Sequence, residues 1–304
     1  MSLRIIEGIF DSFLYQPYTP LNKTVKLTRY MKLNTRDIPK FIYGTAWKED
    51  ATEDFVRTAI GVGFRGIDTA NQRRHYNEAA VGSAVSKVLR SGIKREELFI
   101  QTKYTYANGQ DHRVPYDIRA GYSTQVKQSF QSSLEHLQID YIDSYVLHGP
   151  SVRFGLTQDD WQVWREMEAI HKEGRTMHLG VSNVGIEQLK ILLGGAKVTP
   201  TFVQNRCFAQ QGWDKDVREF CKQKGIIYQG FSLLTANPFV LPKVKQIADK
   251  VNKTPAQVLF RFSMHIGILP LTGTTSQIHM KEDLALDFSL NDEDIQFIEN
   301  IAIN

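Results

Sequence analysis

Asp68, Lys103 and His148 each close a short apolar run, and Tyr76 follows Asp68 within one polar loop. Those four residue types make a coherent proton-transfer set. A phenol has a reference pKa near 10, so Tyr76 donates poorly at neutral pH until something favours its anion. A buried ammonium from Lys103 would favour it, and Asp68 would keep that ammonium charged and aimed. His148 could hydrogen-bond a substrate oxygen and orient it. The set amounts to a general-acid device for a carbonyl that receives a hydride. Each member alone has a plainer reading: a solvated strand-end lysine, a histidine that fills space, an aspartate that caps a helix. Their placement on consecutive strand ends carries the argument.

The elements that must position them follow one rhythm. Eight apolar runs read as strands: Phe41–Thr45, Phe64–Thr69, Leu98–Tyr104, Tyr141–His148, Met177–Ser182, Thr201–Cys207, Ile226–Phe231 and Ile268–Thr272. Amphipathic segments fill the gaps, among them Thr52–Gly61, Thr124–Leu137, Trp161–Lys172, Asp214–Lys224, Leu241–Val251, Pro255–His265 and Asp292–Ala302. Gly63, Gly92, Gly174, Gly225 and Gly267 stand where left-handed residues end helices. Alternating strands and helices mean a parallel sheet. The leading fold is a single-domain α/β (β/α)8 TIM barrel over residues 36–304, with residues 1–35 as an N-terminal extension. A doubly wound sheet is the alternative, because periodicity does not reveal closure. In a barrel, chemistry collects at the carboxyl ends of the strands. Besides the four residues above, those ends carry Ser182-Asn183, Gln204-Asn205 and Phe231-Ser232.

Composition removes several classes. A net charge of +4 over 304 residues, in scattered clusters, argues against nucleic-acid binding. Two cysteines, Cys207 and Cys221, exclude a disulfide framework and suit a reducing, cytoplasmic setting. No apolar run reaches the roughly 18 residues of a membrane span, and no signal-peptide pattern opens the chain. His112 and His148 have no carboxylate at ligand spacing, so no metal site is expected.

Five motifs carry a resemblance. Gly66-Ile67-Asp68-Thr69-Ala70, the run Glu97 to Lys103, the run Asp143 to Pro150, Gly180-Val181-Ser182-Asn183 and Leu269-Pro270-Leu271-Thr272-Gly273 together resemble the aldo-keto reductase family from about Lys40 onward. The resemblance implies a (β/α)8 barrel, an Asp68, Tyr76, Lys103 and His148 tetrad, and a nicotinamide cofactor across the mouth. It implies that Ser182, Asn183 and Gln204 hold the carboxamide and that Phe231 stacks on the nicotinamide. Ser232, Leu233 and Leu234 would line the pyrophosphate loop. Thr272, Gly273, Thr274, His279, Glu282 and Asp283 would surround the adenosine and its 2′-phosphate. The lack of a Gly-x-Gly-x-x-Gly fingerprint agrees with a barrel reductase and not a Rossmann dehydrogenase.

Three departures shape the expectations. The loop after Asp68 is two residues longer than in the best-known reductases. Counting back from Gly82 puts His75 on the tyrosine position, while the chemistry asks for a phenol and so for Tyr76. His279 replaces the arginine that grips the 2′-phosphate, which weakens the argument for NADPH over NADH. NADPH stays first by family habit, with Lys281 as a substitute cation. Gly149 replaces a tryptophan wall, so the pocket should be wide, with Trp47 and Tyr104 or Tyr106 as apolar walls. The polar turn Asn108–Arg113 is expected to be structural. The expected function is reduction of small-molecule aldehydes or ketones by a monomer. A non-catalytic cofactor-sensing subunit resembling the potassium-channel β-subunits is one alternative. A Schiff-base lyase using Lys103 is another.

Overall fold

A computed structural model describes residues 38–302; the expected N-terminal extension lies outside the described residues. Eight parallel strands close into a barrel in chain order, each hydrogen-bonded to the next and the eighth to the first. They are β1 (Ile42–Gly44), β2 (Gly66–Asp68), β3 (Phe99–Tyr104), β4 (Ile142–Leu147), β5 (Thr176–Ser182), β6 (Phe202–Arg206), β7 (Ile227–Phe231) and β8 (Ile268–Thr272). The expected barrel therefore stands, and the open doubly wound sheet does not. β1 and β2 have only three residues each, shorter than the apolar runs that announce them.

The helices are α1 (Thr52–Val62), α2 (Glu78–Arg90), α3 (Tyr122–Leu137), α4 (Gln158–Lys172), α5 (Ile186–Gly195), α6 (Lys215–Gln223), α7 (Val240–Lys243), α8 (Lys245–Lys250), α9 (Pro255–His265), α10 (Gln277–Leu284) and α11 (Asp292–Glu299). Local chemistry explains several of the starts. The Asn77 side chain accepts from Ala80 N and caps α2. Thr157 and Asp160 form a reciprocal capping box on α4, as do Thr254 and Gln257 on α9, where Pro255 supplies a pre-set φ. α3 differs from expectation: it starts at Tyr122 after Gly121, two residues before the expected Thr124, and has no side-chain cap. The run Leu241–Val251 is two short helices, because Val244 at their junction has ψ near 6°. All five helix-ending glycines have positive φ, from 68° to 121°.

One extended core joins the outer faces of the strands to the helices, with Phe64, Phe130, Trp164, Trp213 and Phe260 fully buried. A smaller cluster of Ile42, Phe99, Phe202, Leu269 and Leu271 fills the inside of the barrel. Gly82 sits where α2 crosses the end of α3. A Cβ there would come within 1.9 Å of the His136 carbonyl oxygen, so only glycine permits this approach.

Candidate active site

The carboxyl ends of the strands open into a cavity of about 980 Å³. Side-chain alternation along the strands selects what reaches it. Asp68 ends β2, and Gln101 and Lys103 face inward from β3; Gln204 does so from β6 and Gln229 from β7. Lys103 Nζ donates to Asp68 Oδ1 and Oδ2, both at 2.7 Å, and to the Thr69 carbonyl at 2.8 Å. Asp68 Oδ1 also accepts from Gln101 Nε2 at 2.7 Å and from Gln204 Nε2 at 3.1 Å. Gln229 completes the layer: its Oε1 accepts from Gln101 and Gln204, and its Nε2 donates to Gln101 Oε1. Burial lowers the Lys103 pKa and the adjoining carboxylate opposes that shift. The paired geometry keeps the ammonium charged.

Tyr76 and His75, which the sequence left in competition, separate clearly. The Tyr76 ring lies against Lys103 Nζ, 5.2 Å from the ring centroid, and meets the His148 ring edge-on at 6.0 Å. His75 stacks on Trp47 at the mouth of the same cavity, with ring centroids 4.1 Å apart, and its carbonyl accepts from Trp47 N. Tyr76, Lys103, Asp68 and His148 are thus one neighbourhood. One expectation changes. Lys103 spends its three protons on Asp68 and Thr69, and burial with the Asp68 charge pushes the Tyr76 pKa up. The resting phenol is held protonated.

His148 is neutral: burial, with help from Lys103 and His75, lowers its pKa to about 3. Its Nδ1 lies 2.7 Å from Thr105 Oγ1. Its backbone is clamped on both sides, N–H donating to Tyr104 O at 2.9 Å and C=O accepting from Asn183 Nδ2 at 2.8 Å.

Of the residues that the resemblance assigns to the cofactor, Ser182, Asn183, Gln204, Phe231, Ser232, Leu233, Leu234, Thr272, Gly273 and Thr274 line the cavity. Asn183 and Ser232 hold positive φ, 55° and 58°, which turns the chain at the rim. Asn183 Nδ2 also donates to Ser182 Oγ at 3.1 Å, and Ser182 Oγ donates to the Gln204 carbonyl at 2.6 Å, so the three form one linked group. His279, Glu282 and Asp283 lie on α10, outside the cavity wall. Asp283 is buried beneath the rim, bonded to Thr272, and burial raises its pKa to about 6.

Of the proposed substrate walls, Trp47 is 69% exposed at the mouth, and Gly149 lines the cavity with room around it. A Cβ on Gly149 would meet Asn183 Cβ at 3.6 Å, an ordinary contact. Tyr104 requires correction. It follows the inward Lys103 on β3, so alternation turns it outward, where its hydroxyl donates to Gln125 on α3. Tyr106 takes the wall position instead. The turn at 108–113 holds the Tyr76 loop: Gln72 Nε2 donates to Gly109 O, Gln110 Nε2 to Asn71 O, and Arg113 to Arg73 O.

Sequence reasoning missed two cations of the cavity wall, Lys48 and Arg206. Lys48 Nζ donates to Gly273 O at 2.7 Å, and burial lowers its pKa to about 8. Arg206 lies over the Phe231 ring at 5.6 Å. The period of two from Gln204 to Arg206 was the available signal. With Asp68 neutralised by Lys103, the wall keeps two positive charges, which suits the phosphates of a dinucleotide. Among the described residues no His, Cys, Asp and Glu group could hold a metal ion, and no helix is long and apolar enough to cross a membrane.

A closed (β/α)8 barrel with a buried Asp–Lys pair, a phenol and an imidazole at its mouth is an enzyme scaffold of defined class. Its relatives specify that class. Residues 38–303 match the family model described as the aldo/keto reductase family, and the chain belongs to that family. It is 32% identical over 286 residues to a glyoxal reductase of Bacillus subtilis, covering 92% of this chain and 93% of the relative. It is 29% identical to prostaglandin F synthase 1 of Bos taurus, covering 88% and 89%. Among solved structures, an aldo/keto reductase from Brucella melitensis superposes with a TM-score of 0.75 at 29% identity, covering 88% of this chain and 94% of that one. An aldo-keto reductase, MGS-M4, from a Medee basin deep-sea metagenome library gives 0.76 at 26% identity, with coverage of 88% and 93%. The family is one of carbonyl oxidoreductases that use nicotinamide nucleotides.

Proposed function

We propose that this chain reduces aldehydes or ketones to alcohols with NADPH, NADH being the second candidate, and that Tyr76 is the proton donor. The observation that carries the reading is the Tyr76 ring packed between Lys103 Nζ and His148 at the base of the cavity. A bound nicotinamide nucleotide would supply the hydride that the carbonyl carbon accepts. Tyr76 O–H delivers the proton to the carbonyl oxygen, and its raised pKa in the resting state keeps that proton in place beforehand. The phenolate left behind is stabilised by the Lys103 ammonium, which Asp68 holds in position. His148, neutral and edge-on to Tyr76, orients the substrate oxygen. Ser182, Asn183 and Gln204 would hold the carboxamide and Phe231 the ring face. Lys48 and Arg206 add attraction for the phosphates. A Schiff-base role for Lys103 is disfavoured, because a neutral amine would leave Asp68 buried without its cation.

The substrate side is wide: Trp47, Tyr106 and Gly149 leave room beside the acid. Since one relative is named for glyoxal, a first panel pairs glyoxal with a nitrobenzaldehyde and a quinone. Cofactor titration by protein fluorescence should give saturable binding below about 100 μM, followed by nucleotide oxidation on adding the carbonyl. Absence of nucleotide binding overturns the reading. Tight binding without turnover would instead point to the cofactor-sensing subunit.

A further inference from the structure

His148 lines the cavity, and a threonine hydroxyl stands against its Nδ1. Thr105 Oγ1 is 2.7 Å from Nδ1, and Thr105 is buried. A neutral imidazole has one donor and one acceptor nitrogen, so two arrangements fit that distance. If Nδ1 carried the proton, Thr105 Oγ1 would accept it, and the hydroxyl's own proton would need another acceptor. Among the described residues its one hydrogen-bond partner is Nδ1. That arrangement strands a buried donor. If the hydroxyl donates to a bare Nδ1, the threonine proton is satisfied and the ring proton sits on Nε2, which is not a buried unpartnered atom and belongs to a residue of the cavity wall. Leaving a buried donor unpaired disfavours the first arrangement by roughly 5- to 150-fold.

We propose that Thr105 is a positioning residue that fixes His148 in the Nε2–H tautomer, so that the imidazole offers the substrate oxygen a donor. The catalytic meaning rests on the reductase reading above; the tautomer itself does not. The arrangement is braced from behind. The Thr105 carbonyl accepts from Tyr116 Oη at 2.7 Å and from Gln110 Nε2 at 3.3 Å, which leaves its side chain facing the ring. With the proton on Nε2, the two donors Tyr76 O–H and His148 Nε2–H converge on one carbonyl oxygen. With the proton on Nδ1, the ring would present a lone pair to that oxygen and repel it. Thr105 follows Tyr104 on the same strand exit as Lys103, so one short segment supplies both the cation behind the phenol and the hydroxyl behind the imidazole.

The test is two-bond proton–nitrogen correlation NMR on protein labelled with 15N-histidine, the His148 signals being assigned by their loss in His148→Gln. Wild type and Thr105→Ser should show the Nε2-protonated pattern. Thr105→Val should show a mixed or Nδ1-protonated pattern. It should also lower kcat/KM about tenfold with unchanged nucleotide affinity, and Thr105→Ser should restore the rate. An Nδ1-protonated ring in wild type overturns the proposal, as does a pure Nε2-protonated pattern in Thr105→Val. Should Thr105→Val fail to fold, the wild-type spectrum decides alone. An Nε2-protonated ring in a protein that turns over no carbonyl upholds the Thr105 assignment and counts against the reductase reading.

Discussion

Two layers inside the same barrel meet opposite demands. The lower one is apolar: Ile42, Phe99, Phe202, Leu269 and Leu271 fill the interior, with Phe99 and Phe202 edge to face at 5.7 Å. The upper one is polar: Asp68, Gln101, Lys103, Gln204 and Gln229 are buried and bonded to one another. Volume is what the lower layer needs, and several apolar side chains could supply it. Partners are what the upper layer needs, because each buried amide or charge left unpaired costs about 1–3 kcal/mol or more. The lower layer holds the barrel up, and the upper layer aims it.

The largest expected effect falls just above the polar layer. Tyr76→Phe should cut carbonyl reduction by about 10²- to 10⁴-fold while nucleotide binding stays intact, as read by steady-state rates and fluorescence titration. Surviving activity would move the proton donor elsewhere in the loop. The layers themselves are compared by a pair of variants. Phe202→Ala opens a hole in the lower layer and should cost about 3–5 kcal/mol in denaturant unfolding, with kcat per folded molecule nearly unchanged. Gln101→Leu strips a donor from Asp68 and a partner from Gln229. It should cost less stability, about 1–3 kcal/mol, yet lower kcat. Equal effects of the two variants on kcat would erase the distinction between the layers. The smallest effect sits at the rim. Lys48 is cationic below its depressed pKa of about 8 and neutral above it. Nucleotide affinity should therefore weaken severalfold as pH rises through about 8, and Lys48→Met should flatten that dependence in a titration series.

How much of this was legible in the chain differs between elements for physical reasons. The eight strands were, because fully buried parallel strands write continuous apolar runs. So were the glycine stops, since left-handed backbone favours glycine at those positions. Asp68, Lys103 and His148 were found from their strand ends. The choice between Tyr76 and His75 was not, because it depends on the loop path. The turn at 108–113 and the Trp47 stack set that path, and both are distant in sequence. The inward glutamines Gln101 and Gln229 were overlooked because a glutamine within an apolar run carries no mark of its partner on another strand. Tyr104 was misassigned because loop-end aromatics were read by proximity and not by alternation. The helix placing His279, Glu282 and Asp283 has almost no amphipathic pattern, so nothing in the chain showed which way those residues turn.

Gly82 has a consequence beyond packing. The helix it belongs to begins immediately after the Tyr76 loop, so the depth at which that helix seats against its neighbour also sets the height of the phenol over Lys103. A methyl group at Gly82 would act as a shim, since its carbon would stand only 1.9 Å from the His136 carbonyl oxygen and would push the start of the helix, and the loop with it, away. The mouth of this barrel can thus be re-lined freely at Gly149 or Trp47, while its focus is set by a position on the far side of a helix that no substrate ever meets.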